Sequence, residues 1–168
     1  MGILKITGAI LAVLLLCVVG ILVSARYADG PWEMIAGGPF TSGKPYRGPE
    51  PDWAFVRDIV TVEFQLMDPP RSRTTWILEH EGRIYIPCGY MDTAWGRFWK
   101  QWPIEAEKDG QAILRVNGTL YDRRLVRVTS GPEIAPLTAQ IVEKYKVPAT
   151  PAAVEANSLW LFELAPAG

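Results

Sequence analysis

A chain of 168 residues carrying 17 basic and 18 acidic side chains is close to neutral, which gives no electrostatic reason to expect nucleic acid or another polyanion as partner. Without its apolar leader the chain suits one domain large enough to bury a core, and two domains would be cramped. Its two cysteines, Cys17 in the leader and Cys88 in the globular part, cannot pair with each other within one fold, so there is no disulfide framework.

Residues 1–5 form a short tail, followed by an anchor over 6–24. From Ile6 to Val23, Thr7 is the only conventionally polar side chain, and eighteen residues at 1.5 Å each make about 27 Å of apolar helix. That length suits a membrane span. The alternative is a cleaved signal peptide ending near Val23-Ser24-Ala25, but the apolar run is longer than the roughly 7 to 15 residues of a signal core. Lys5 and the N-terminal amine lie on one side, and Arg26 is offset by Asp29 and Glu33 on the other. This balance predicts a single-pass protein with its N-terminus inside and its globular part on the outer, periplasmic face of a cell membrane. Residues 25–51 read as a linker or draped arm, because Gly30 to Pro51 holds five glycines and five prolines. Trp32, Phe40 and Tyr46 within it suit contact with the domain or the headgroup layer.

The domain is expected over 52–168. Val60, Val62, Phe64 and Leu66 alternate with polar residues, predicting a half-buried strand over Asp58 to Leu66. Thr74 to Leu78 and Arg83 to Pro87 flank Glu79-His80-Glu81-Gly82 as a hairpin. His80, the chain's one histidine, sits at a polar turn and offers no metal set. Trp95, Phe98, Trp99 and Trp102 follow helical spacing, with Pro103 predicting a kink before a last turn to Lys108. Asn117-Gly118, between the alternating runs Ala112 to Val116 and Thr119 to Val128, is the strongest hairpin signal in the chain. Ser130 and Glu133 read as a capping box for a helix reaching Tyr145, with Ile134, Leu137, Ile141 and Tyr145 inward. Leu159 to Leu164 is apolar on both faces, as in a barrel closure or a sheet covered on both sides.

Strand, hairpin, tryptophan helix, hairpin, helix and strand follow in that order. With the segments Pro70-Arg71-Ser72-Arg73-Thr74-Thr75-Trp76, Gly82-Arg83-Ile84-Tyr85-Ile86 and Leu114-Arg115-Val116-Asn117-Gly118, the chain resembles the split β-barrel flavin-binding fold. Its nitroreductase-like deazaflavin branch and the pyridoxamine-phosphate-oxidase-like barrels are the relevant groups. The fold class expected is therefore mainly β with α, a split barrel behind one transmembrane helix. The resemblance implies FMN or a deazaflavin, with the phosphate near Arg71, Arg73 and Thr75. It also implies a loop of Cys88, Gly89 and Tyr90 with Arg97 and Lys100 behind it. The chain departs from the related barrels where Cys-Gly-Tyr-Met-Asp replaces their serine and lysine after the third strand.

Three functions follow as expectations. One is a membrane-tethered oxidoreductase of the nitroreductase or quinone-reductase type, working at a homodimer interface. The second is a barrel without cofactor, serving as accessory subunit of a membrane complex. A third is a barrel that binds a small ligand or lipid beneath an aromatic lid. No Walker-type loop, zinc-spaced Cys/His set or Rossmann fingerprint occurs in the sequence.

Overall fold

The structure is a computed structural model that describes residues 2–93 and 100–167. It opens on α1 (Gly2–Arg26), whose 25 residues run about 37 Å. Leu4–Arg26 is long and apolar enough to cross a membrane, and its large apolar side chains are exposed. The helix extends past both ends expected for it, because no proline or glycine pair interrupts it before Arg26.

The domain is a mainly antiparallel sheet with helices packed against it. Its strands are β1 (Lys44–Pro45), β2 (Thr61–Met67), β3 (Pro70–Trp76), β4 (Leu78–His80), β5 (Arg83–Gly89), β6 (Gln111–Val116), β7 (Thr119–Val128) and β8 (Leu159–Pro166). Their order is β3-β2-β6-β7-β8-β5-β4, with β1 added parallel to β7. The two edges of this sheet, β3 and β4, are consecutive in the chain and separated only by Ile77. One bent strand thus pairs with β2 up to Trp76 and with β5 from Leu78 onward. The sheet curls round on itself, but no ladder joins β3 to β5, so it stays open along that line.

Alternation does the rest. Phe64, Leu66, Ile84, Ile86, Leu114, Leu125, Phe162 and Leu164 share an inner core with Trp53 and Trp102. On the outer face of β4, β5 and β8, Leu78, Tyr85, Leu159 and Leu161 meet α3 (Ile134–Tyr145) and α4 (Pro151–Glu155). The doubly apolar Leu159 to Leu164 run is thereby explained, since Phe162 and Leu164 face inward and Leu159 and Leu161 lie under the helices. Between β5 and β6 lies α2 (Trp102–Lys108). Pro103 stands at its first turn, where a missing N–H costs nothing, so it starts the helix where the sequence had suggested a kink. Trp95, Phe98 and Trp99 fall outside the described residues.

The capping box is a second correction. Glu133 takes the N-cap of α3 in helical conformation with no side-chain cap bond, and Ser130 lies outside the helix. Pro136 is tolerated because it too occupies the first turn. The inward stripe does hold, with Ile134, Leu137 and Ile141 buried. The turn at Asn117 (φ 49°) and Gly118 (φ 74°) has both central residues left-handed, as a tight hairpin requires. A Cβ at Gly118 would meet open space, so Gly118→Val tests backbone strain alone. It is expected to cost about 1–2 kcal/mol, a melting shift of a few degrees by circular dichroism.

Residues 29–50 form an arm laid across the strands. The N–H of Gly37 donates to Ser72 O at 3.0 Å, and Ser72 Oγ donates to Gly38 O at 2.6 Å. Farther on, Phe40 N donates to the Gln65 side chain, and Lys44 N and Tyr46 N donate to the carbonyls of Gly118 and Leu120. Arg115 holds the arm by charge, with Nη1 3.0 Å from Asp29 and Nε 2.6 Å from Glu63, and its guanidinium covers the Phe40 ring. Burial on its own would raise the Asp29 pKa. The Ser42 hydroxyl, the Thr41 N–H and Arg115 outweigh it and hold that carboxyl well below the usual carboxylate range. A carboxyl with a depressed folded pKa contributes stability above its unfolded pKa and loses it as pH falls. Melting temperature is therefore expected to decline below about pH 4, with Asp29→Asn removing part of that decline and lowering the neutral-pH value.

Candidate functional site

The open line between β3 and β5 has a simple origin in register. Leu78 pairs with Tyr85 and His80 with Arg83. If that antiparallel pairing ran on, Trp76 would face Pro87, Thr75 would face Cys88 and Thr74 would face Gly89. Instead β3 turns away at Ile77 to pair with β2, and Pro87 brings no N–H to continue the ladder. The bend is clamped from outside. Tyr145 Oη accepts from Ile77 N at 2.9 Å, Lys144 Nζ donates to Ile77 O at 2.9 Å and to Val56 O at 3.0 Å, and the Tyr145 ring stacks on Trp76 at 4.2 Å. Burial pushes the Tyr145 phenol up to about 12, so it remains a neutral hydrogen-bonding group.

Where the strands part, a cleft of about 720 Å³ opens. Thr74, Thr75 and Trp76 form one wall and Pro87, Cys88, Gly89 and Tyr90 the other. Trp102, Ile141 and Leu159 close it, together with the α3–α4 connection at Val147, Pro148 and Ala149. Glu33 and Met34 of the arm stand at its rim. Its volume is that of an ordinary small-molecule site. Lys100 is the cationic residue lining it, against Glu33 and Asp92, among the described residues. The Lys100 ammonium donates to Gly89 O at 3.0 Å and lies 5.4 Å from the Tyr90 ring centre.

Of the residues to which the resemblance assigned a flavin, Thr75, Cys88, Gly89, Tyr90 and Lys100 meet in this cleft, although 25 positions separate the first from the last. Arg97 lies outside the described residues. Arg71 and Arg73 do not line the cleft. The Arg71 guanidinium donates to Gly37 O at 2.8 Å and Ala36 O at 2.7 Å, fastening the arm. Arg73 pairs with Glu105 at 3.2 Å, and burial lowers its pKa in spite of that partner. Cys88 is buried beside Met91, and burial pushes its thiol up to about 11, with Lys100 only partly opposing it. A thiol so placed is a packing group with little thiolate at neutral pH. His80 ends β4, next to the Glu81-Gly82 turn and 4.0 Å from Glu81. Three further arginines of the sheet are paired, Arg115 as above, Arg123 with Glu50 and Arg127 with Glu107.

Sequence reasoning missed Met34, the Trp76–Tyr145 stack and the Val147–Ala149 wall. Met34 was hidden because a Gly/Pro-rich stretch has no period from which to infer a facing side. The α4 wall did carry a signal, Thr150-Pro151, an N-cap followed by proline at the first helical position.

No family model matches the chain, and no curated protein matches it. Among solved structures, it is similar to the conserved hypothetical protein Rv2991 from Mycobacterium tuberculosis, at 14% identity and a TM-score of 0.47. That match covers 68% of this chain and 77% of the other. At such distance the cleft has to be understood from this chain's own residues.

A phosphorylated flavin can be tested against those residues. A phosphate dianion at Arg71 and Arg73 would have to displace the arm carbonyls from one guanidinium and Glu105 from the other. The cleft itself sets one lysine against two carboxylates among its described lining residues. The described residues therefore do not fit a flavin phosphate at that place.

Proposed function

We propose that this chain is a membrane-anchored binding domain. Its α1 helix spans the bilayer with the N-terminus inside, and the cleft between β3 and β5 takes a small amphipathic molecule with a flat ring. The observation that carries this reading is the cleft itself, about 720 Å³ with Trp76, Trp102, Ile141 and Leu159 in its walls and Lys100 as its polar anchor. Aromatic walls favour a flat ring, and an ammonium that is the one cation among the described lining residues favours a carbonyl or a single anionic group over a phosphate dianion. Detergent-purified protein should release such a molecule into organic solvent, detectable by mass spectrometry. It should also float with vesicles after an alkaline wash. A clean extract from protein that gains no thermal stability from any added flat amphiphile would count against the reading.

A flavin- or deazaflavin-dependent oxidoreductase of the nitroreductase type is the second reading. It is favoured by the convergence of Thr75, Cys88, Gly89, Tyr90 and Lys100 in one cleft. A deazaflavin or flavin held there would supply hydride chemistry, and its visible absorbance between about 370 and 450 nm would be the sign of it. In that case the phosphate must be met by groups other than Arg71 and Arg73.

A further inference from the structure

The loop that follows the anchor helix exposes large apolar side chains with nothing over them. Tyr27 is 81% exposed, Trp32 46% and Met34 85%. This loop is nevertheless built firmly. Trp32 and Ile35 exchange backbone hydrogen bonds of 3.0 and 2.8 Å, Gly38 N donates to Ala28 O at 3.2 Å, and Gly37 N donates to Ser72 O on β3. Side chains held outward by a fixed loop lose no conformational freedom by being there, so their exposure is a property of the fold. Ordinary surface residues of this kind occur singly. Here three fall within eight positions, and the first follows directly on the last residue of an apolar helix.

Position identifies what covers them. α1 ends at Arg26, so residues 27–34 are the first part of the chain beyond the span, at the depth where amphipathic rings are favoured. The loop's attachment also fixes the cleft in space. From Ser72, where Gly37 is bound, to Thr74–Trp76 in the cleft wall is two to four residues of β3, about 7–13 Å. Met34 and Glu33 belong to both the loop and the cleft rim.

We infer that the Tyr27–Ile35 loop lies in the headgroup layer of the membrane that holds α1. The cleft then opens at the bilayer surface, and its ligand is a molecule dissolved in the membrane which enters sideways past Met34. This rests on the proposed anchoring and adds the route and the solubility class of the ligand. Glu33 opposes a strongly anionic surface, so zwitterionic lipid is the appropriate medium.

The test uses full-length protein in phosphatidylcholine vesicles, with Cys17→Ala so that α1 takes no label. The background must itself take up no nitroxide, as the buried Cys88 predicts. Trp32→Cys, Met34→Cys and Arg83→Cys are labelled in turn, the last as the reference, at the start of β5 where it pairs with His80 at the far end of the bent strand. Paramagnetic accessibility to oxygen is then compared with accessibility to a water-soluble nickel chelate. Labels at 32 and 34 should favour oxygen several-fold more than the label at 83. Equal nickel accessibility at all three sites, in protein that floats with the vesicles, would overturn the docked loop while leaving the anchor standing. Protein that does not float would remove the anchor and the inference together. Spin–spin broadening at 34 with low access to both reagents would overturn it in favour of a second copy covering the patch.

Discussion

Gly37→Ala should lower the stability of the domain by about 3 kcal/mol, a melting shift of roughly 6–12 °C for a chain of this size. A Cβ at Gly37 would overlap the carbonyl of Gly30 and crowd Pro31 N, and these are backbone atoms of a loop that Gly38 and Ala28 close behind it. The overlap cannot be relieved by turning a side chain. The loop must open, and the hydrogen bond from Gly37 to Ser72 goes with it. Gly89→Ala provides the comparison, since a Cβ there meets nothing within 4 Å and should leave the melt unchanged. Circular dichroism in detergent gives the shift, and limited proteolysis should show new cleavage within residues 30–51. An unshifted melt for Gly37→Ala would mean that the arm is not packed as described.

Arg71→Ala comes next in size. Its guanidinium makes two charge-assisted hydrogen bonds to arm carbonyls, each worth about 1.5–3 kcal/mol when buried and less at a half-exposed site. A net loss of about 2 kcal/mol is expected, roughly 4–8 °C, with the same proteolytic signature as Gly37→Ala. Arg71→Lys should recover part of it, because an ammonium reaches one carbonyl and lacks the fork that reaches both. The outcome separates two roles for this residue. If Arg71 held a ligand's phosphate, the ligand-free melt would hardly move while affinity for FMN fell. If it fastens the arm, the melt moves and FMN affinity has nothing to lose.

Much of the sheet was legible because short-range rules decide it. Asn117-Gly118 can form a tight turn with both residues left-handed, and the alternating runs beside it leave one register that buries Ala112, Leu114, Tyr121 and Leu125. The doubly apolar last strand announced its two covered faces in the same way. Ser130 and Glu133 misled, because a capping pattern states what could cap a helix and not where tertiary packing begins it. The site was half legible. Thr75, Cys88, Gly89, Tyr90 and Lys100 could be grouped by resemblance, yet nothing local says that Arg71 two turns of strand away grips the arm. That contact joins residues 34 and 35 positions apart, and it forms only once the arm has crossed the sheet. Met34 was invisible for the same reason.

Gly89→Phe tests the cleft most directly. The new ring starts in open space at the cleft wall, so it should fill the cavity without strain and leave the melting curve within about 2 °C of the unmodified protein. The measurement is a titration of each protein, in detergent, with a decyl-chain benzoquinone, read as quenching of Trp76 and Trp102 in the cleft. The unmodified protein should bind the probe saturably and Gly89→Phe should bind it at least tenfold more weakly. Equal quenching curves for two equally folded proteins would contradict a ligand site between β3 and β5.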